Sequence, residues 1–358
     1  MLRQLKDRVG ERAFTLVELA VAVGIVILLT AIVYAVILSP GDQGSQNACN
    51  ANLKAINAAI RMYYNDKGFC PSSLKELAEY GIGERSCFCP IGHSYNDLYL
   101  SRDVYRHNSG AAYNLAYFIG CPWHGRANNP DKNKTVAVLL DGSTIKADVC
   151  QAVLSNLSGN VKVLRREDYR EDMGADWNWN NRAMAAVNNM KLSPADKVWT
   201  GSASSAKLAF ADSSCLDIGQ ETRLTILQSC KVDTTRISSG YHSAIRIEDE
   251  TNDPQVTYSR DSSLPKTYFE IATPALIAGI RGTELKVYKY LIEVTQASTP
   301  VEFFDRFSQQ VKEVKEGEAA GITDNGEINK DIIGATLLQK LRFKVNHGRQ
   351  NGWRYKNR

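Results

Sequence analysis

From Leu19 to Leu38 no residue of the chain is charged, and this run constrains everything around it. At ~1.5 Å per helical residue, ~20 apolar residues cross the ~30 Å hydrocarbon layer of a bilayer. A polar leader, MLRQLKDRVGERA, precedes it with Arg3, Lys6, Arg8 and Arg12. Basic residues stay on the cytoplasmic side, so everything after Pro40 is expected to be exported. No second run of this kind follows, which predicts a single-pass protein. The 358 residues are 44% hydrophobic and 23% charged, enough to bury a sizeable core. That composition excludes a disordered chain, a collagen-like chain and a multi-span membrane protein. A net charge of +4 is too mild to indicate a nucleic-acid partner.

Glu18 sits at the edge of the apolar run, where an unpaired carboxylate costs a few kcal/mol in lipid. Cleavage between Ala13 and Phe14 would free an α-amine four residues before it. That amine in one subunit can neutralise Glu18 of the next, giving a buried carboxylate a register-setting role in an assembly. Ala13, Phe14, Thr15, Leu16, Val17 and Glu18 resemble the class III signal of type IV prepilins and pseudopilins. That family usually places Gly where Ala13 stands. The resemblance implies leader removal by prepilin peptidase and N-methylation of Phe14. An ordinary cleaved secretory signal fits less well, because Tyr34-Ala35-Val36-Ile37 offers no small-x-small cleavage site.

After Ser39-Pro40-Gly41, a site for a kink, Ala48, Leu53, Ile56, Ala59, Ile60 and Tyr63 recur at helical spacing up to Gly68. SSLKELAEYG (72–81) predicts a short capped helix, and TVAVLLDGSTIKA (135–147) a hairpin turning at Asp141-Gly142. The stretch NLKAINAAIRMYYNDKGFCPSSLKEL is similar to secretion-type major pseudopilins. Cys89-Pro90-Ile91-Gly92-His93 with Tyr95, and Cys121-Pro122-Trp123-His124-Gly125, look like a pair of motifs found in many bacterial pilin-like proteins.

Two chemistries compete for the eight cysteines, Cys49, Cys70, Cys87, Cys89, Cys121, Cys150, Cys215 and Cys230. Export favours disulfides, and six of the eight lie between Cys49 and Cys150. Sequence cannot choose among the 15 pairings that six cysteines allow. Cys89, His93, Cys121 and His124 could instead surround zinc, with Cys87 a fifth candidate and a spacing looser than a zinc ribbon. Apart from that zinc, no cofactor is expected.

From about Gly159 short alternating runs replace the helical period. They are VKVL (161–164), KVWT (197–200), AKLAF (206–210), TRLTIL (222–227), SAIRI (243–247), YFEIA (268–272) and ELKVYKYLIEV (284–294). Such spacing predicts an all-β sandwich, barrel or solenoid, with a helix at NNRAMAAVNNM within the Asn- and Trp-rich stretch 168–190. Gly159-Asn160-Val161-Lys162-Val163, the stretch 192–227 and FEIATPALIAGIRGTELKV (269–287) resemble the FecR domain, a β-rich periplasmic module. Ala195 and Ser213 stand where that family has glycine, and Leu285 where it has Phe. Arg281, Gly282, Thr283 and Glu284 fall on its most recognisable motif. Arg281 between glycines suits pinning carbonyls or Glu284, and tying β-layers together is favoured over contacting a partner. FecR proteins signal to sigma factors through a cytoplasmic domain, for which 13 leader residues are too few.

The expected fold is α+β. A leader (1–13) and a transmembrane and assembly helix (14–38) lead into a pilin-like helix with a small cysteine-rich antiparallel head (39–158). An all-β FecR-like domain (159–320) and a basic tail (321–358) follow. From Lys340 onward there are seven Lys or Arg and no acid. The five histidines form no zinc-protease pattern, and no Walker loop, GxGxxG or GxSxG occurs, so no enzyme is expected. The reading that follows is a minor pilin-like subunit of a type IV pilus or type II secretion pseudopilus. Its partners would be prepilin peptidase, other pilin or pseudopilin subunits, inner-membrane lipid and an envelope or extracellular ligand. The alternative is a single-pass, membrane-anchored periplasmic FecR-domain sensor or envelope-binding protein that forms no filament.

Overall fold

The computed structural model describes Val21, Val23, Ile25 and Val26, which are helical, and residues 41–68, 71, 73–91, 95, 117–121, 124, 134–139, 144–169, 173, 175–232, 240–248, 256–260, 267–273, 275–280, 283–288, 291–297, 300–305, 311–322 and 328–332. Ala13, Phe14 and Glu18, the Pro40 kink and residues 333–358 of the basic tail lie outside them. Among the described residues no helix is long and apolar enough to cross a membrane. The chain forms two compact units, Met1–Asn47 and Ala48–Arg358.

Helix α1 (Gly41–Lys67) ends at Gly68, whose φ of 83° is open to a residue without Cβ and whose N–H reaches Tyr64 O at 2.8 Å. Its buried stripe is Cys49, Leu53, Ile56, Ile60 and Tyr63, alternating four- and three-residue steps. Cys49, not the exposed Ala48, opens that stripe. The short helix Leu74–Tyr80 carries the expected capping box from Ser73 and Glu76, and ends at left-handed Gly81. Glu76 also accepts from Tyr63 Oη at 2.8 Å, which ties this turn to α1.

The remainder is mostly strand. One sheet runs β1 (Tyr117–Cys121), β2 (Lys134–Leu139), β3 (Thr144–Val149), β11 (Arg223–Val232), β12 (Gly240–Ile247), β14 (Thr267–Ala272), β15 (Leu276–Ile280), β18 (Val301–Asp305) and β19 (Val311–Val314). Strand β8 (Lys197–Thr200) pairs with β11, β5 (Val161–Leu164) with β8, and β6 (Met184–Ala185) with β5. The second sheet runs β21 (Ile328–Ile332), β20 (Glu318–Ile322), β17 (Leu291–Ala297), β16 (Thr283–Val287), β13 (Val256–Ser259), β10 (Cys215–Ile218), β9 (Ser205–Ala209), β4 (Ala152–Ser158) and β7 (Met190–Leu192).

The two sheets share one apolar core. Val163, Val198, Leu224, Ile245, Phe269 and Phe303 from the first meet Leu154, Leu208, Leu216, Tyr258, Leu285 and Val294 from the second. Phe269 stands edge-on to Phe210 and tilted against Tyr258, with centroids at 5.0 and 4.7 Å. A second core lies on the other side of the first sheet. There α1 packs through Cys49, Leu53, Ile56 and Ile60 against Leu227, Ala244, Ala272 and Ile277. The layering is therefore helix, sheet, sheet.

That layering explains β15, which is buried at every position. It is covered on one face by the second sheet and on the other by α1, so its sequence is a continuous apolar run without alternation. Strand β11 is likewise covered on both faces, with Ile226 in one core and its neighbour Leu227, at a bulge before Gln228, in the other.

Three expectations change. Strands β2 and β3 pair as the expected hairpin, whose turn at Asp141-Gly142 lies outside the described residues, but it is no separate head: β3 pairs with β11, Val149 opposite Cys230. Pairing also crosses the boundary drawn after residue 158, because β4 joins β9 and β7 of the second sheet. The helix expected at NNRAMAAVNNM lies earlier, as α2 (Ala175–Asn181). Beyond it Arg182 and Ala183 both donate to Asn178 O, and the chain turns into β6.

Candidate functional site

The polar residues of the 192–227 stretch hold the β domain together from within. Asp196 has a side chain only 2% exposed. Its carboxylate accepts from Arg165 Nη1 at 2.8 Å, Ser193 N at 2.9 Å and Arg166 N at 2.9 Å. Burial raises the Asp196 carboxyl above its ordinary range, against the pull of these donors. Thr200 Oγ1 donates to Gly219 O at 2.6 Å and accepts from Thr222 N at 3.0 Å. Asp212 accepts from Ser214 N at 3.0 Å and Ser214 Oγ at 2.8 Å, and Tyr258 Oη closes the group 3.1 Å from Ser214 Oγ. Ala195 and Ser213, which stand where the FecR family has glycine, have φ of 72° and 65°, so both positions keep a glycine-like left-handed conformation.

Arg281 and Gly282 lie outside the described residues. Thr283 opens β16, and Glu284 is exposed with its carbonyl accepting from Thr295 Oγ1 at 3.0 Å.

A different group of side chains converges beneath α1. Cys49 comes from the buried stripe of that helix, Cys89 from the turn after the short helix Glu84–Cys87, Cys121 from the end of β1, and His124 follows it. All four are buried, and their ligand atoms lie within 4.8 Å of one another. Cys121 Sγ is 3.6 Å from Cys89 Sγ, and His124 Nε2 is 3.2 Å from Cys89 Sγ. Tyr95, fully buried, donates its hydroxyl to Cys49 Sγ at 2.8 Å. The thiols are strongly polarised by one another. Hydrogen bonds from Cys121 and then Cys49 draw the Cys89 thiol far below its ordinary range, helped by His124 and the Ile91 N–H. Burial, with hydrogen bonding to Cys49 and Cys89, drives Cys121 far above it.

Of the four residues the sequence grouped, the structure brings Cys89, Cys121 and His124 together. His93 and Cys70 lie outside the described residues. The missing partner was Cys49, and its signal was available: it stands in phase with Leu53, Ile56 and Ile60 on the helix. The seven described cysteines carry no disulfide. Cys87 is buried outside the group, Cys150 follows β3, Cys230 lies on the neighbouring strand β11, and Cys215 lies on β10.

The β frame has a counterpart among known families. Residues 196–302 match the FecR protein family. The matched stretch runs from Asp196 into β18 and includes strands of both sheets. No curated protein matches the chain. Two crystal structures of a candidate anti-sigma factor from Parabacteroides distasonis ATCC 8503 are similar to it at 15% and 16% identity. They cover 40% and 43% of this chain, each with a TM-score of 0.29. The chain spans 62% of the first of those structures and 73% of the second.

Proposed function

We propose that this protein is a membrane-tethered FecR-domain binding protein of the cell envelope. The FecR match over 196–302 carries the reading. The tether is the apolar run Leu19–Leu38, and the basic leader keeps its N-terminus in the cytoplasm.

The surface offered to a partner is the outer face of the second sheet, since α1 covers the outer face of the first. A polar row crosses it in register: Ser155 opposite Lys207, Lys207 opposite Asp217, Asp217 opposite Thr257, and Thr257 opposite Lys286. Charges of alternating sign on a rigid sheet suit a polar, charged partner in the envelope more than a lipid or a nucleic acid. The Asp212–Ser214–Tyr258 hydrogen bonds tie β10 to β13 within that sheet, and rigidity lowers the entropy cost of binding.

Fractionation of cells expressing the full chain and a variant lacking residues 14–38 tests the tether. The full chain should sediment with membranes and resist salt extraction, and the deletion variant should be soluble. A full chain released by salt would overturn the reading.

The filament-subunit reading rests on Ala13, Phe14 and Glu18, and no comparison bears on it.

A further inference from the structure

We propose that Cys49, Cys89, Cys121 and His124 bind a single structural Zn²⁺ ion that clamps helix α1 and strand β1 together. This goes beyond the tethered-binding reading and does not depend on it.

The donor set comes first. Three thiolates and one imidazole are a standard tetrahedral zinc set. The same soft donors disfavour calcium and magnesium, which take oxygen. Dimensions come next. At Zn–S ~2.3 Å and Zn–N ~2.0 Å, tetrahedral donors lie roughly 3.5 to 3.8 Å apart. The observed 3.6 Å between Cys89 and Cys121 meets this, and the 3.2 Å from Cys89 to His124 needs only a small opening. Ligand atoms within 4.8 Å of one another leave room for one ion and none for a multi-iron cluster.

Burial makes the site closed. Cys49 and Cys121 are 0% exposed, Cys89 1% and His124 8%. Four buried protein ligands leave no position for water or substrate, which marks a structural centre rather than a catalytic one. Outer hydrogen bonds are in place as well. Tyr95 Oη donates to Cys49 Sγ, and the Ile91 N–H donates to Cys89 Sγ. Donors of this kind orient thiolate ligands and offset their charge.

A disulfide explains the same residues less completely. Joining Cys89 to Cys121 would leave the Cys49 thiol and the His124 ring buried against it. Three sulfurs and an imidazole at mutual contact match the valence of one zinc ion, whereas any disulfide strands at least one of them. The ion would also cross-link chain positions 40 and 32 residues apart, Cys49 to Cys89 and Cys89 to Cys121. Those links close the core where α1 meets Leu227, Ala244 and Ile277. Binding displaces the thiol protons, so affinity should fall in acid.

The test uses the full chain, tagged without histidine and purified in detergent under reducing conditions. Elemental analysis should find about one zinc per chain. Cys49→Ser and His124→Ala should lose it, while His124→Cys and Cys215→Ser should keep it. Tyr95→Phe should weaken zinc affinity about tenfold. Cobalt(II) exchanged into the wild-type chain should show thiolate-to-metal charge transfer and intense tetrahedral d–d absorption. This readout needs no variant to fold. Zinc content unchanged by both Cys49→Ser and His124→Ala would mean an adventitious ion only. Zinc-free protein from this reducing preparation, or cobalt without a thiolate band, would equally overturn the proposal.

Discussion

Replacing Asp196 by alanine should cost far more than its single ion pair suggests. The carboxylate takes three donors, the Arg165 guanidinium and the N–H groups of Ser193 and Arg166. Each backbone N–H left without an acceptor costs about 1–3 kcal/mol where it is shielded from water. The Arg165 side chain is 23% exposed and can swing outward, so its share is small. Relief of carboxylate desolvation returns about 1 kcal/mol. The balance is a loss of roughly 1–5 kcal/mol. Asp196→Asn should recover less than half of it, because the amide nitrogen would face a donor. Asp217 makes the control, being 58% exposed at 4.0 Å from Lys207. Its alanine variant should cost below about 0.5 kcal/mol. Guanidinium unfolding in detergent can be followed by tryptophan fluorescence. Trp199 lies on β8 beside the latch, with Trp179 at 6.4 Å. Equal midpoints for Asp196→Ala and Asp217→Ala would refute the latch.

Three further predictions follow from backbone and charge. Ser213 is exposed and left-handed at φ 65°, so Ser213→Gly should stabilise by roughly 0.5–1 kcal/mol, read as a raised unfolding midpoint. Gly159 is left-handed at φ 73°, and a Cβ there would sit 2.4 Å from Ser204 Oγ, which accepts from Asn160 N. Gly159→Ala should therefore cost about 2 kcal/mol or more, and a loss below about 0.5 would contradict the packing. Glu248 bonds Lys197 at 2.6 Å and also accepts from Thr225 Oγ1. Burial alone would raise its carboxyl, but Lys197 and these hydrogen bonds hold it below the ordinary range. A depressed folded-state value gives stability present above the unfolded value and lost as pH falls through the folded one. The stability gap between wild type and Glu248→Gln should accordingly shrink as pH falls below the ordinary glutamate range, and an unchanging gap would contradict the pairing.

Local signals in the sequence carried through to structure. VKVL and KVWT are β5 and β8 residue for residue, and the Ser73–Glu76 box and Gly81 bound the short helix. Long-range pairing was not legible, because nothing local in β3 says that Val149 will lie opposite Cys230. The stretch after Asn181 has helix-forming alanines, yet a pairing partner in β5 draws Met184 and Ala185 into strand. In the thiol group, Cys89, Cys121 and His124 were visible from spacing. Cys49 was not linked to them, because it joins through the tertiary packing of α1 and not through any motif. The Ala195 and Ser213 departures were visible as residues, and only the structure shows that the backbone keeps a glycine-like turn at both.

Mass spectrometry of the N-terminal peptide, in membranes and in sheared surface material of the native cells, tests the functional account most directly. The tethered-binding reading predicts that the protein stays with the membrane and is missing from the sheared material. A peptide beginning at N-methylated Phe14 in the sheared material would contradict it, and would make the protein a filament subunit whose Glu18 pairs with a neighbour's amine.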